Sequence, residues 1–248
     1  MKQDHWIFLS PHFDDVALSC GGLVWDLANQ GNQVEIWTVM AGYPPNDNYS
    51  QFAQETHDVW GQAGKDAIDM RRKEDQAACD ILGAIPRYLQ FLDVIYRRFE
   101  DSGKPVVHND EELFHNPPEP SLVQVIADEL TRQLPSDAAL VLPMGLGGHL
   151  DHRAVVQAGA RLSLVDFYYA DYPYILKSFD SPLLKNDKYQ KLPRFLSNEA
   201  LTAWQEAVLC YRSQLSWFWR DDEEERLGLC NYLVGGGGRL WKKKQIKT

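Results

Sequence analysis

Two short clusters carry the residue types that hydrolytic chemistry needs. Ser10-Pro11-His12-Phe13-Asp14-Asp15 and Gly147-Gly148-His149-Leu150-Asp151-His152 together hold three of the seven histidines and three carboxylates. Neutral imidazole plus carboxylate is the donor set that zinc favours in open catalytic sites. Three protein ligands leave a fourth position, where the pKa of water falls to about 7 and hydrolysis becomes accessible at neutral pH. Each residue alone has a plainer reading. Asp14 or Asp15 could cap a helix, His12 could be a satisfied polar residue, and any two residues three apart share a helical face. Two clusters that each pair His with Asp, each after a strand, are harder to attribute to capping.

The elements around the clusters explain how they could meet. Residues 6–10 form an apolar run that stops at Pro11, and a helix with Leu23, Val24, Leu27 and Ala28 on one face follows, ending near Gly31. Residues 34–40 are the next strand, so the first forty residues read as a βαβ unit, which implies a parallel sheet. Helical spacing covers 52–62, 66–82, 122–134, 152–162 and 198–219, and further strands are expected at 88–91, 138–144 and 167–170. Residues 41–50 and 101–120, rich in proline and glycine, read as loops. The expectation is one α/β domain over residues 1–248, a Rossmann-like three-layer sandwich with a mostly parallel central sheet. Ligands of such sheets collect beyond the carboxyl ends of the strands, where both clusters fall.

Composition narrows the partners. The 248 residues carry 25 Lys and Arg against 35 Asp and Glu, a net charge of −10. So acidic a chain lacks the basic face that nucleic acid or anionic lipid requires. No apolar run reaches the roughly 18 residues of a membrane span, and Trp6–Leu9 is too short for a signal-peptide core. With Cys20, Cys79, Cys210 and Cys230 scattered and no Cys-x-x-Cys pair, reduced thiols and a cytoplasmic location are expected. The partner is a small molecule, with a homo-oligomer left open. The Gly235–Gly238 run lacks the Lys-Ser/Thr of a phosphate loop. Lys242–Lys244 is too short a basic patch for nucleic acid, and Asp221–Glu225 reads as a solvated acidic stretch.

The clusters also resemble a known family. Ser10-Pro-His-Phe-Asp-Asp, followed by Gly21-Gly22, is similar to the zinc motif of the PIG-L/LmbE deacetylases, (A/S)-H-P-D-D-E with a downstream Gly-Gly. Gly148-His-Leu-Asp-His-Arg resembles their H-P-D-H-R motif, Arg71-Arg72-Lys73-Glu74 their R-R-x-E helix, and Tyr211-Arg212-Ser213-Gln214 their H-x-S-Q segment. The matches run in order from about residue 6 to 216; the first two are specific and the last two supportive. Phe13 and Val16 stand where the family usually has Pro and Glu.

The resemblance implies a metal-dependent hydrolase of the N-acetyl amide of N-acetylglucosamine-type units. It makes His12, Asp15 and His152 the ligands of zinc or another divalent metal such as iron(II). Asp14 becomes the general base. His149 stabilises the oxyanion, as the protonated imidazole that also serves the departing amine, and Asp151 orients a site histidine. Arg71 or Arg72 contacts substrate hydroxyls. Asp171 and Tyr174, in a stretch similar to a D-x-P-Y segment of one bacterial branch, line the sugar site, or else mark a strand end turning at Pro173. The competing readings are a nucleotide-binding module and a non-catalytic sugar binder. Two carboxylates at a helix start disfavour the first by repelling phosphate. Retention of Asp14 with all three ligands disfavours the second.

Overall fold

The computed structural model describes residues 4–162, 165–177, 189–193 and 196–244. Strands β1 (His5–Ser10), β2 (Gln33–Thr38), β3 (Ile85–Tyr88), β4 (Ala139–Pro143), β5 (Val165–Tyr169), β6 (Tyr189–Lys191) and β7 (Leu240–Lys243) form one sheet in the order β3-β2-β1-β4-β5-β7-β6. The first five strands of that order are parallel; β7 runs antiparallel to both β5 and β6. The central strands β1 and β4 are apolar over Trp6–Leu9 and Ala139–Pro143 because both faces of the sheet are covered there. Phe8, Ile36 and Val141 face a layer containing α1 (Asp15–Asn29) and α3 (Gly64–Leu82). Ile7, Leu9, Leu140 and Leu142 face α5 (Pro120–Gln133) and α6 (Leu150–Gly159). This is the expected three-layer α/β sandwich.

The chain leaves β1 toward β2 on one side and, later, toward β4 on the other. The crevice between the ends of β1 and β4 is therefore the switch point at which open α/β sheets bind ligands. Helix α7 (Asn198–Val208) lies across α1, and Gly21 and Gly22 make this possible. A Cβ on Gly21 would lie 2.6 Å from the Trp204 ring, and one on Gly22 would lie 2.8 Å from Leu196. The glycine pair of the first motif is thus a packing notch for Trp204, which is fully buried and donates its indole N–H to Ala17 O at 2.5 Å.

Several elements differ from the sequence reading. The strand expected at 88–91 begins earlier, at Ile85, and takes in Pro86. The missing N–H is tolerated because β3 is the edge strand. The helix expected over 198–219 ends at Val208, because Ser213 turns back to donate its N–H and hydroxyl to Glu74, at 2.8 and 2.6 Å. The acidic run at 221–225 is the first turn of α8 (Asp222–Val234): Asp221 caps Glu224 N at 2.9 Å, and the acids favour the positive helix end. The 101–120 loop contains a short helix, α4 (Asp110–His115), and α2 (Gln51–Trp60) follows the 41–50 loop. No helix among the described residues is long and apolar enough to cross a membrane. The four cysteines are free thiols.

Candidate metal and catalytic site

The loop after β1 is fixed by its own polar atoms. Ser10 Oγ donates to His12 O at 2.5 Å and accepts Val16 N–H at 3.2 Å, while His12 N–H donates to Asp15 Oδ2 at 2.7 Å. Asp14 and Asp15 thereby sit at the start of α1. Across the crevice, β4 ends at Pro143 and α6 carries Asp151 and His152 in its first turn. His12, Asp14, Asp15, His149, Asp151 and His152 are all buried.

Each histidine is held by the nitrogen that faces away from Asp15. His12 Nε2 is 3.1 Å from Asp151 Oδ2, and His152 Nδ1 is 2.7 Å from Asp171 Oδ1. The other nitrogens converge: His12 Nδ1 is 3.3 Å from Asp15 Oδ2, and His152 Nε2 is 3.2 Å from Asp15 Oδ1. Such spacings are those between neighbouring donors around a tetrahedral cation with bonds of about 2.0 Å. With their far nitrogens bonded to carboxylates, His12 and His152 turn their near nitrogens toward the anionic Asp15, an arrangement that calls for positive charge between them, whether as protons or as a cation. Their proton affinities say the same. Burial alone would lower both pKa values, yet Asp15 and Asp151 raise that of His12, and Asp15 and Asp171 lift His152 to about 9. Burial works to raise the Asp15 carboxyl, and the two histidines hold it well below its usual range. The donor set fits a divalent cation.

Asp14 stands beside this set but is tied elsewhere. Its Oδ1 is 3.4 Å from Arg71 Nη2. Burial raises its pKa, and the Arg71 guanidinium offsets only part of that rise. Arg71 is 3% exposed and lies between two aromatic faces, 5.1 Å over Phe13 and 4.7 Å over Trp60. Phe13 thus forms one side of an arginine slot. Arg72 points away from the site, donates to Ala41 O at 2.8 Å and stacks on Tyr43 and Tyr88. Of the two candidate arginines, only Arg71 reaches the cluster.

His149 caps α6 by accepting Asp151 N–H on Nδ1 at 3.2 Å, which leaves Nε2 as the protonated nitrogen of the neutral ring. Burial, His12 and His152 push its pKa well down. Burial thus favours the neutral ring, which can donate through Nε2, over the protonated imidazole expected above, and a cation beside it would reinforce that preference. Asp151 joins His12 to a second arginine: its Oδ1 accepts from Arg97 at 2.7 Å and its Oδ2 from Val94 N–H at 3.0 Å. Burial opposes its charge, and Arg97 and His12 hold the carboxyl far below its usual pKa. Asp171 does not line an open sugar site, because it is 1% exposed and its two oxygens are used by His152 and, at 3.0 Å, by Leu146 N–H. Tyr174 does lie at the site, its ring edge-on to His152 at 5.6 Å.

Three contributors had not been singled out. Asp93 is buried, 3.8 Å from His12 Nε2 and 3.9 Å from Arg71 Nη1. It follows the third strand, so the rule that located the two clusters also pointed to it. Arg97 and Phe114 carried no local signal. His12, His149 and His152 each bring a nitrogen within 4.8 Å of the others, and His12, Asp93 and Asp151 are grouped as closely. Arg71 and Arg97 already neutralise the second group, so a cation is better placed at the first histidines and Asp15.

A parallel α/β sheet with a His/Asp centre and an adjacent buried carboxylate at its switch point defines a metal-dependent hydrolase. Residues 7–163, more than half of the chain, match the family model PIG-L, GlcNAc-PI de-N-acetylase, and the chain belongs to this family. It is a deacetylase by that membership. It is similar, at 29% identity over 92% of this chain and 87% of the relative, to the 2'-N-acetylparomamine deacetylase of Niallia circulans. Among solved structures it resembles a deacetylase–teicoplanin complex from teicoplanin biosynthesis, with TM-score 0.78, 28% identity and coverage of 98% and 100%. The zinc-inhibited form of a teicoplanin deacetylase gives TM-score 0.76 at 28% identity, with coverage of 96% and 97%.

Proposed function

We propose that the chain hydrolyses the N-acetyl amide of an N-acetylglucosamine-type sugar carried on a larger scaffold, with zinc or iron(II) held by His12, Asp15 and His152. The observation that carries this reading is the pair of histidines whose far nitrogens are tied to Asp151 and Asp171 while their near nitrogens flank Asp15. The relatives that act on acetylated paromamine or bind teicoplanin support the substrate class. A single catalytic domain over residues 1–248 is part of the proposal, supported by the C-terminal strands extending the same sheet.

The cation, when bound, supplies Lewis acidity to the amide carbonyl and lowers the pKa of water. Asp14 accepts the proton of the attacking water, for which a carboxyl with a raised pKa is suited. His149 Nε2–H donates to the carbonyl oxygen as negative charge develops. Asp14 then returns its proton to the amine nitrogen as the C–N bond breaks, leaving acetate and the free amino sugar. Arg71, paired with Asp14 and beside Asp93, holds the base in place from between Phe13 and Trp60. Asp151 and Asp171 fix the rings of His12 and His152. Tyr174 covers the sugar or acyl side.

The test is acetate release from N-acetylglucosamine, N-acetylated aminoglycosides and N-acetylglucosaminyl glycopeptides by metal-loaded protein. Release from at least one of them supports the reading. A protein that binds these sugars yet releases no acetate at any metal loading is a sugar-binding module instead.

A further inference from the structure

The two glycines of the second motif let two aromatic residues close on the catalytic histidines. Gly147, at φ +81°, leaves no room for a Cβ, which would meet the Tyr174 ring at 2.4 Å. Gly148, at φ +82°, brings its backbone against α4, where an added Cβ would lie 3.1 Å from Phe114 O. Phe114 stands edge-on to His149 at 5.7 Å and to Tyr174 at 5.9 Å, and Tyr174 is edge-on to His152. Helix α4 is held in place by the Asn109 cap on Glu112 N at 2.9 Å and by Arg153, which donates to Asn116 O.

The carbonyl carbon of the substrate amide has three substituents to place. Its oxygen faces the cation site and His149 Nε2, and its nitrogen leads to the sugar. The acyl carbon requires an apolar wall. Two aromatic pairs near the centre are candidates for that wall. Phe13 and Trp60 already enclose the Arg71 guanidinium. The other pair is Phe114 and Tyr174.

We infer that Phe114, with Tyr174, is the wall of the acyl subsite and restricts the enzyme to short acyl groups. This rests on the proposed amide hydrolysis and adds to it the residue that sets acyl length. In a closed apolar pocket one methylene is worth about 10–200-fold in discrimination. Phe114→Ala leaves the proposed metal ligands and the base in place but removes a ring that packs on His149, so the readout is the ratio between acyl groups rather than the rate on any one of them.

The experiment compares wild type, Phe114→Ala and Phe114→Leu on N-acetyl, N-propionyl and N-butyryl forms of one glucosaminide. In parallel, calorimetry measures acetate and butyrate binding to the zinc-loaded proteins. The butyryl-to-acetyl ratio of kcat/KM should rise about 10-fold or more in Phe114→Ala and less in Phe114→Leu, and the butyrate-to-acetate affinity ratio should rise with it. Acetyl and butyryl rates that fall together, or ratios within twofold of wild type in a folded variant, would overturn the inference. The carboxylate affinities decide it even where no substrate is turned over. Absence of turnover in wild type would count against the proposed hydrolysis instead.

Discussion

The part of the molecule from β1 to α6 and the C-terminal part, from β5 to β7, use their buried polar groups differently. In the first half, the buried charges at the site are matched, although Asp75 on α3 keeps one oxygen without a partner. Asp151 is met by Arg97, His12 and a backbone N–H, Asp14 by Arg71, and Asp15 by two histidines. The second part is cemented by rings, with Tyr172 against Trp219 and Tyr232, and Tyr168 against Tyr189. Its buried Glu225 has no hydrogen-bond partner on either oxygen. It sends Asp171 and Tyr174 to the site. The first half thus carries the reacting groups, and the second orients one histidine and covers the centre. The family match ends at residue 163, near this division.

The comparison is broken most directly at the metal ligands. Asp15→Asn should lose the cation first, since an amide is a much poorer ligand than a carboxylate, and activity should fall with metal content. Asp14→Asn should keep its metal and lose about 10²–10⁴-fold in kcat, the usual contribution of a general base. Metal analysis and turnover on the same preparations check both. If Asp14→Asn lost metal while Asp15→Asn retained it, the two roles would be exchanged.

A step smaller are the carboxylates behind the histidines, one from each region. Asp151→Asn leaves Arg97 buried with only Glu119 opposite it. Removing one partner of a buried ion pair costs about 3–5 kcal/mol, so this variant should melt markedly lower. Asp171→Asn breaks no arginine pair and should instead weaken metal affinity about 10–100-fold, with activity restored by excess metal. Equal loss of melting temperature in both would erase the distinction between the regions.

These contrasts also show what the sequence could reveal. The two clusters were legible because the chemistry sits within six consecutive residues at each strand end, where local spacing and the switch-point rule meet. The central strands β1, β2 and β4 were legible because both their faces are buried, whereas the half-exposed edge strand β3 was displaced. Arg97 was not, since its partner Asp151 lies 54 positions away and nothing near Arg97 marks it. Asp171 reads in the sequence either as a sugar-site residue or as a strand end before Pro173, and neither reading reveals its bond to His152, which depends on β5 lying beside β4. Helix α8 was hidden because an acidic run reads alike as a solvated loop and as a helix start. The glycine pairs appeared as motif letters, and only the packing of Trp204, Tyr174 and Phe114 explains them.

An effect on stability alone, and none on turnover, lies in the C-terminal part. Burial, opposed by Arg226, raises the Glu225 pKa to about 8. The folded state then binds its proton more tightly than the unfolded chain, whose carboxyl titrates near 4.3. The resulting penalty is absent below the unfolded pKa, grows as pH rises through that window and is complete above about 8. Glu225→Gln should therefore melt close to wild type at pH 4 and above it at pH 8.5. A difference independent of pH would show that the Glu225 carboxyl titrates alike in the folded and unfolded chain.

The central claim is the identity of the ligands, and anomalous diffraction at the zinc edge from zinc-loaded crystals tests it most directly. The account predicts a single strong peak about 2.0–2.2 Å from His12 Nδ1, an Asp15 oxygen and His152 Nε2. Asp151 and Asp171 would remain on the far nitrogens. A peak among His12, Asp93 and Asp151, or one that His149 ligates while Asp15 stands clear, would contradict it.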